Sequence, residues 1–155
     1  MNEPLEQVPG FLFFDHVAIS VKPGELEAHV QAYRAMGFKE THREDVLGGD
    51  QVREVLLQVG DGPNLVQLLE PLTPESPVAK QIEKNGGRGG VAHLALRVAD
   101  IQKAFDYLKE RGFKIIDKAP RKGSRGTTVF FVHPKTTETA AFGYLLEVVQ
   151  EGAHA

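Results

Sequence analysis

The chain twice alternates apolar and polar side chains with a period of two around a central histidine, in FFDHVAISV (13–21) and in GVAHLALRV (90–98). Period two is the geometry of a strand. In the first stretch Phe14, His16, Ala18 and Ser20 fall on one face and Asp15, Val17, Ile19 and Val21 on the other; in the second, His93, Ala95 and Arg97 oppose Leu94, Leu96 and Val98. After each strand the period lengthens to that of a helix. ELEAHVQAYRAMGF (25–38) lines up Leu26, Val30, Tyr33 and Met36 and stops at Gly37, and ADIQKAFDYLKERGF (99–113) lines up Ile101, Phe105 and Leu108 and stops at Gly112. FKETHRED (38–45), QVREVLLQV (51–59) and NLVQLLEPL (64–72) complete the first half as strands, with turn signals at Gly48–Gly49 and GDGPN. FKIID (113–117), TTVFFV (127–132) and GYLLEVVQ (143–150) do the same for the second. The pattern predicts an α+β fold: two tandem βαβββ modules, 13–72 and 91–150, sharing one curved mixed sheet in a single structural domain. An N-terminal extension (1–12), a connecting helix and loop (73–90, helix over 76–84) and a tail (151–155) fill out the chain.

Spacing sharpens the repeat. From His16 to Gly37 is 21 positions and from His93 to Gly112 is 19; from His16 to Gln67 is 51 and from His93 to Glu147 is 54. Each half therefore offers one histidine on its first strand and one oxygen-bearing side chain on its last, both among apolar neighbours. Taken singly, each is accounted for by a core histidine bonded to backbone or a polar edge-strand residue. At matched offsets in duplicated modules they have a common explanation, a divalent ion held by His16, Gln67, His93 and Glu147. Two imidazoles, an amide oxygen and a carboxylate suit Co²⁺, Mn²⁺, Ni²⁺ or Zn²⁺, and an octahedral ion would keep two positions open for chemistry. A buried carboxylate without a partner costs several kcal/mol, which also favours a cation beside Glu147.

Composition removes other classes. The 155 residues are 41% hydrophobic and 25% charged, enough for one packed core and ordinary for a globular protein. There is no cysteine, so thiolate metal sites, disulfides and thiol nucleophiles are excluded together. A net charge of −3 gives no broad basic footprint, and no nucleic acid is expected as a partner. Nor is a membrane, since no run of about 18 apolar residues exists. MNEPLEQVPG has neither a signal pattern nor a transit pattern, so a cytoplasmic setting is expected.

With those residues in place, the chain resembles the vicinal oxygen chelate superfamily and, within it, the methylmalonyl-CoA epimerase family. The resemblance runs from DHVAISV to LLEVVQ and is carried by DHVAI (15–19), VRE (52–54), QLLEPLTPESPVAK (67–80), NGGRGGVAHLALRVADI (85–101) and FFVHPKTTE (130–138). It implies the superfamily's fold, with its metal cleft; a metal site of His16, Gln67, His93 and Glu147, with Co²⁺ leading the candidate ions; a catalytic carboxylate at Glu54; and a homodimer acting on an acyl-CoA. The implied reaction epimerises (2R)- and (2S)-methylmalonyl-CoA by removing and returning the α-proton through a metal-stabilised enolate. An α-C–H is a far weaker acid than a protonated Glu, whose reference pKa is about 4.3, and each unit of mismatch costs about 1.4 kcal/mol. A Lewis acid on the developing oxyanion is worth several kcal/mol. Inversion needs an acid or base on each face, and the resemblance puts Glu54 on one and Glu147, using its second oxygen, on the other, with a water or another acid as the alternative to Glu147. Without the resemblance, Glu54 reads as a solvent-facing strand residue paired with Arg53 or a cross-strand lysine.

KAPRKGSRG (118–126) sets Lys118, Arg121, Lys122 and Arg125 beside two glycines, suited to coenzyme A phosphates or to a solvated basic loop. His133 reads as turn structure; His29 and His154 receive no role. LGGDQ (47–51) departs from the family's acidic turn before VRE, and TTETAAFGYLLE (136–147) is longer than its counterpart, which puts acyl specificity in question. Two rival readings share the fold: a glyoxalase I type lyase acting on a glutathione hemithioacetal, and a metal-free drug-binding resistance protein. A dioxygenase fits less well, because Gln67 would have to stand outside a two-His, one-carboxylate set.

Overall fold

A computed structural model of the chain describes residues 11–152. Most of the predicted N-terminal extension, and the end of the tail with His154, lie outside the described residues. The chain divides into two compact units, His16–Ala92 and the described residues on either side of it.

The first unit takes in the second half of β1 (Phe11–Ser20), helix α1 (Leu26–Ala35), strands β2 (Lys39–Val46), β3 (Val52–Gln58) and β4 (Leu65–Pro71), helix α2 (Pro77–Lys84) and the first residues of β5 (Gly90–Val98). Its strands run in the order β2, β3, β4, β1, antiparallel except for the parallel pair β4 and β1, where Gln67 lies opposite Ala18. Both faces of β3 and β4 are buried, hence the near-continuous apolar runs VLL and LVQLL, broken only by Gln67. Val55, Leu57, Val66 and Leu68 meet Leu26 and Val30 of α1, with Val17 and Ile19 of β1 and Val21 just after it beside them. Ala18, Val52, Leu69 and Ala92 gather on the opposite face with Val78 of α2. Ser76 caps α2: its hydroxyl accepts from Val78 N at 3.2 Å and donates to the carbonyl of Asp50 at 2.7 Å.

The second unit repeats the scheme with the rest of β5, helix α3 (Ile101–Glu110), and strands β6 (Arg121–Lys122), β7 (Thr128–Val132) and β8 (Leu145–Gln150). The order β5, β8, β7, β6 again holds one parallel pair, β5 with β8. Val98, Phe130, Val132 and Val148 pack on Ile101, Ala104, Phe105 and Leu108 of α3, and Ala95, Val129, Phe131 and Val149 share the other face. Buried Asp15 pairs with Arg97 at 2.5 Å, and the Arg97 guanidinium lies 5.1 Å from the Phe13 ring. The expected α+β fold of two βαβββ repeats is the one adopted.

Three local expectations change. Met36 is 71% exposed and leaves the α1 stripe, because the helix ends at Ala35 before its last turn reaches the sheet. FKIID is not a strand: it meets β7 only through an isolated bridge from Ile115 to Val132, because the Asp117 carboxylate, not a backbone carbonyl, takes Phe131 N at 2.8 Å. The short strand in that place is Arg121–Lys122. β1 begins at Phe11, two residues before the alternation is legible.

Candidate active site

In both parallel strand pairs a histidine faces a leucine that lies two residues before the second predicted donor. His16 pairs with Leu65, two before Gln67, and His93 pairs with Leu145, two before Glu147. Because side chains alternate with period two, histidine and oxygen donor emerge on the same face as diagonal neighbours. The sequence spacings of 51 and 54 differ, yet the register is the same; the difference is absorbed in the connections.

The first unit builds a buried polar cluster on the face turned away from α1. Leu56 is opposite Gln67 and Glu54 opposite Leu69, so Glu54 and Gln67 share that face. The Gln67 side-chain N–H donates to Glu54 Oε1 at 2.5 Å. A carboxylate only accepts, so the amide must turn its nitrogen to Glu54. Its carbonyl oxygen, Gln67 Oε1, is buried with no hydrogen-bond partner among the described residues. Arg53, next in the chain, turns to the other face and pairs with Asp45 at 2.7 Å; the Arg53 guanidinium holds the Asp45 carboxyl below the usual carboxylate range. Glu54 is therefore not the solvent-facing partner of Arg53 that the sequence left open. His42 Nε2 stands 3.5 Å from Glu54 Oε2 and 2.7 Å from Glu44 Oε1.

The second unit holds its own pair. His93 Nε2 is 3.3 Å from Glu147 Oε1, and the Phe131 ring meets the imidazole edge-on at 5.3 Å. Phe131 lies opposite Glu147 in the β7–β8 ladder. The internal repeat places Val129 where the first unit has Glu54, so the second unit has no counterpart of that carboxylate. His16, Glu54, Gln67, His93 and Glu147 are exposed by only 2%, 2%, 6%, 8% and 9%. Within each unit the donors are buried, and in the first the Gln67 amide oxygen is left unsatisfied, a setting that suits a cation better than water.

The basic loop is placed less tightly. Lys118, Arg121 and Lys122 are exposed and Arg125 half-buried, in the left-handed backbone region at φ 56°. Arg121 is held by Asp117 at 2.8 Å and lies 5.5 Å from the Phe131 ring, which in turn touches His93. His133 accepts Lys135 N at 2.9 Å, as turn structure does. Sequence reasoning passed over His42 and Glu44. The available signal was His-x-Glu on a strand, two side chains on one face, in THRED.

A family model described as the Glyoxalase/Bleomycin resistance protein/Dioxygenase superfamily matches residues 15–131. Ethylmalonyl-CoA/methylmalonyl-CoA epimerase of Cereibacter sphaeroides is 36% identical over 123 residues, 78% of this chain and 87% of that protein. The crystal structure of methylmalonyl-CoA epimerase from Mycobacterium tuberculosis superposes with a TM-score of 0.81 at 29% identity, covering 92% of this chain and 90% of that one. Streptomyces coelicolor methylmalonyl-CoA epimerase, solved in complex with 2-nitronate-propionyl-CoA, superposes at 0.80 with 33% identity over 92% of this chain and 99% of that one. The matched register of the two histidine strands, the buried donors on them and these likenesses agree: the chain belongs to the glyoxalase/bleomycin resistance protein/dioxygenase superfamily, within its methylmalonyl-CoA epimerase family.

Proposed function

We propose that the protein interconverts the two C2 epimers of methylmalonyl-CoA by removing the α-proton on one face and returning a proton on the other. The observation that carries this is the Glu54–Gln67 pair: a buried carboxylate whose plane is held by an amide N–H, beside an amide oxygen left over for a cation. The ligand of the Streptomyces coelicolor relative supports it, since a nitronate is planar and anionic like the enolate that α-proton loss creates. His16, Gln67, His93 and Glu147 would hold a divalent ion, with Co²⁺ the first to test. When bound, that ion supplies Lewis acidity for the negative charge that builds on the thioester oxygen. Glu54 takes the α-proton while the Gln67 N–H keeps the carboxylate from rotating away. Glu147, carrying a proton taken up from solvent, would deliver it on the opposite face, and the proton held by Glu54 goes back to solvent to reset the pair. Burial of both groups excludes the water that would otherwise solvate the base. Lys118, Arg121, Lys122 and Arg125 serve the coenzyme A phosphates. The segments 47–51 and 136–144 set the acyl group accepted, and the name of the Cereibacter sphaeroides relative makes ethylmalonyl-CoA the second ester to try. The enzyme works as a homodimer in the cytoplasm; the exposed apolar Leu12 and Phe14 on β1 support the pairing.

Deuterium incorporation at C2 of methylmalonyl-CoA in heavy water tests the reading. Glu54→Gln should retain the metal and lose exchange by about a hundredfold or more, whereas His93→Ala should lose metal and exchange together. Exchange at the wild-type rate in both variants would sink it, and turnover of methylglyoxal with glutathione in its place would move the chain to the lyase.

A further inference from the structure

Strand β2 does not run in regular register with β3. Glu40 lies opposite Leu57, but His42, not Thr41, lies opposite Leu56, so the ladder carries a bulge at Thr41. The consequence is geometric. Without the extra residue His42 would oppose Val55 and point into the apolar cluster under α1; with it, His42 and Glu44 emerge on the face of Glu54. Bulges re-aim side chains, and this one aims an imidazole at the base of the reaction proposed above.

We infer that His42, braced by Glu44, is a positioning residue that clamps Glu54 from the side opposite Gln67. Gln67 Nε2 donates to Glu54 Oε1, and His42 Nε2 stands 3.5 Å from Oε2. The two oxygens of one carboxylate are thus addressed by two different strands, β4 and β2, across β3. Glu44 Oε1, 2.7 Å from the same His42 nitrogen, fixes the imidazole from its exposed side. A contact of 3.5 Å is long for a hydrogen bond, as catalytic contacts commonly are before substrate arrives and draws the groups together. The Gln67 contact is already a hydrogen bond; once the His42 N–H closes from Glu44 onto Oε2 as substrate arrives, the carboxylate is held at both oxygens and loses its side-chain freedom at the moment of proton transfer. The side-chain partners of His42 are Glu44 and Glu54, so its effect on the reaction runs through Glu54.

The inference rests on Glu54 as the base, and the experiment separates the two. C2 exchange and epimerisation of methylmalonyl-CoA are measured for the metal-loaded wild type, Glu54→Gln, His42→Ala, His42→Gln and Glu44→Gln, with metal content and thermal midpoint recorded for each. His42→Ala should lower kcat about tenfold with KM within about twofold, since misplacing a base by a fraction of an ångström is felt in the proton-transfer step and not in binding. His42→Gln, which keeps an N–H donor, should recover most of that loss, and Glu44→Gln should cost about threefold. Metal content and thermal midpoint should match the wild type throughout. If Glu54→Gln loses exchange while His42→Ala keeps kcat within about twofold, the clamp is wrong and the base stands. If the His42→Ala loss comes with lost metal or a lowered midpoint and the glutamine does not restore it, His42 is merely structural and the clamp is again wrong. If Glu54→Gln retains exchange, it is the epimerase reading of Glu54 that fails.

Discussion

At Gly89 a side chain has nowhere to go: a Cβ built there would lie 2.2 Å from the carbonyl oxygen of Ser20. The obstacle is backbone, which cannot rotate aside as a flexible side chain can. Ser20 also fixes the next residue, its hydroxyl donating to Gly90 O at 3.0 Å and accepting from Gly90 N at 3.1 Å. Gly89→Ala must therefore push the end of β1 and the start of β5 apart, at about 1–3 kcal/mol, measured as a lowered urea midpoint at unchanged slope. An unchanged midpoint would mean that the close approach is not maintained in solution. The NGGRGG motif was legible as a connection, but which glycine is indispensable was not, because the reason is an atom of a strand about seventy residues away. The burial of Glu54 belongs to the same class. VRE says that Arg53 and Glu54 point oppositely; only the neighbouring strands decide which one faces solvent.

Among the elements, α2 shows how local and non-local terms divide. Ser76 followed by Pro77 announces a helix start from sequence alone, the hydroxyl capping Val78 N and the proline occupying a position where no N–H is needed. The same hydroxyl also donates to Asp50 O, which ties the helix to the β2–β3 connection. Ser76→Ala should cost about 1–2 kcal/mol, above the ordinary price of a cap because a buried acceptor is left unpaired as well. Thermal or urea unfolding checks this, and a loss of only a few tenths would show that the second bond contributes nothing. In β2 the division falls the other way. KETHREDV alternates cleanly along its length, yet the bulge at Thr41 is invisible in that alternation, being a property of how β2 pairs with β3. The strand was legible and His42 was not.

At the scale of the whole molecule, the proposed ligation would be linked to folding. The buried donors His16, Gln67, His93 and Glu147 are separated along the chain, so an ion they share binds the folded state and not the unfolded one. Added Co²⁺ at a hundred times its dissociation constant should stabilise the protein by about 2.7 kcal/mol, seen as a rise in the thermal midpoint that a chelator reverses. His93→Ala should abolish the rise. A wild-type midpoint indifferent to Co²⁺, Mn²⁺, Ni²⁺ and Zn²⁺ would contradict the ligand set. No described helix is long and apolar enough to cross a membrane.

The amino-acid sequence by itself determined the two βαβββ repeats, the direction in which each strand presents its side chains, and the pairing of one histidine with one oxygen donor in each half. Those are properties of period and order, which each segment carries within itself. The tertiary structure decided what depends on a partner: the common register that puts each histidine diagonal to its donor, the amide nitrogen of Gln67 turned to Glu54, the exposure of Met36 and the replacement of a strand at 113–117 by a single bridge. It also decided the bulge that brings His42 to Glu54. The physical reason is that a side chain's direction follows from its own backbone, whereas its neighbours follow from how far one strand slides along another. That sliding is set by the packing of both faces at once.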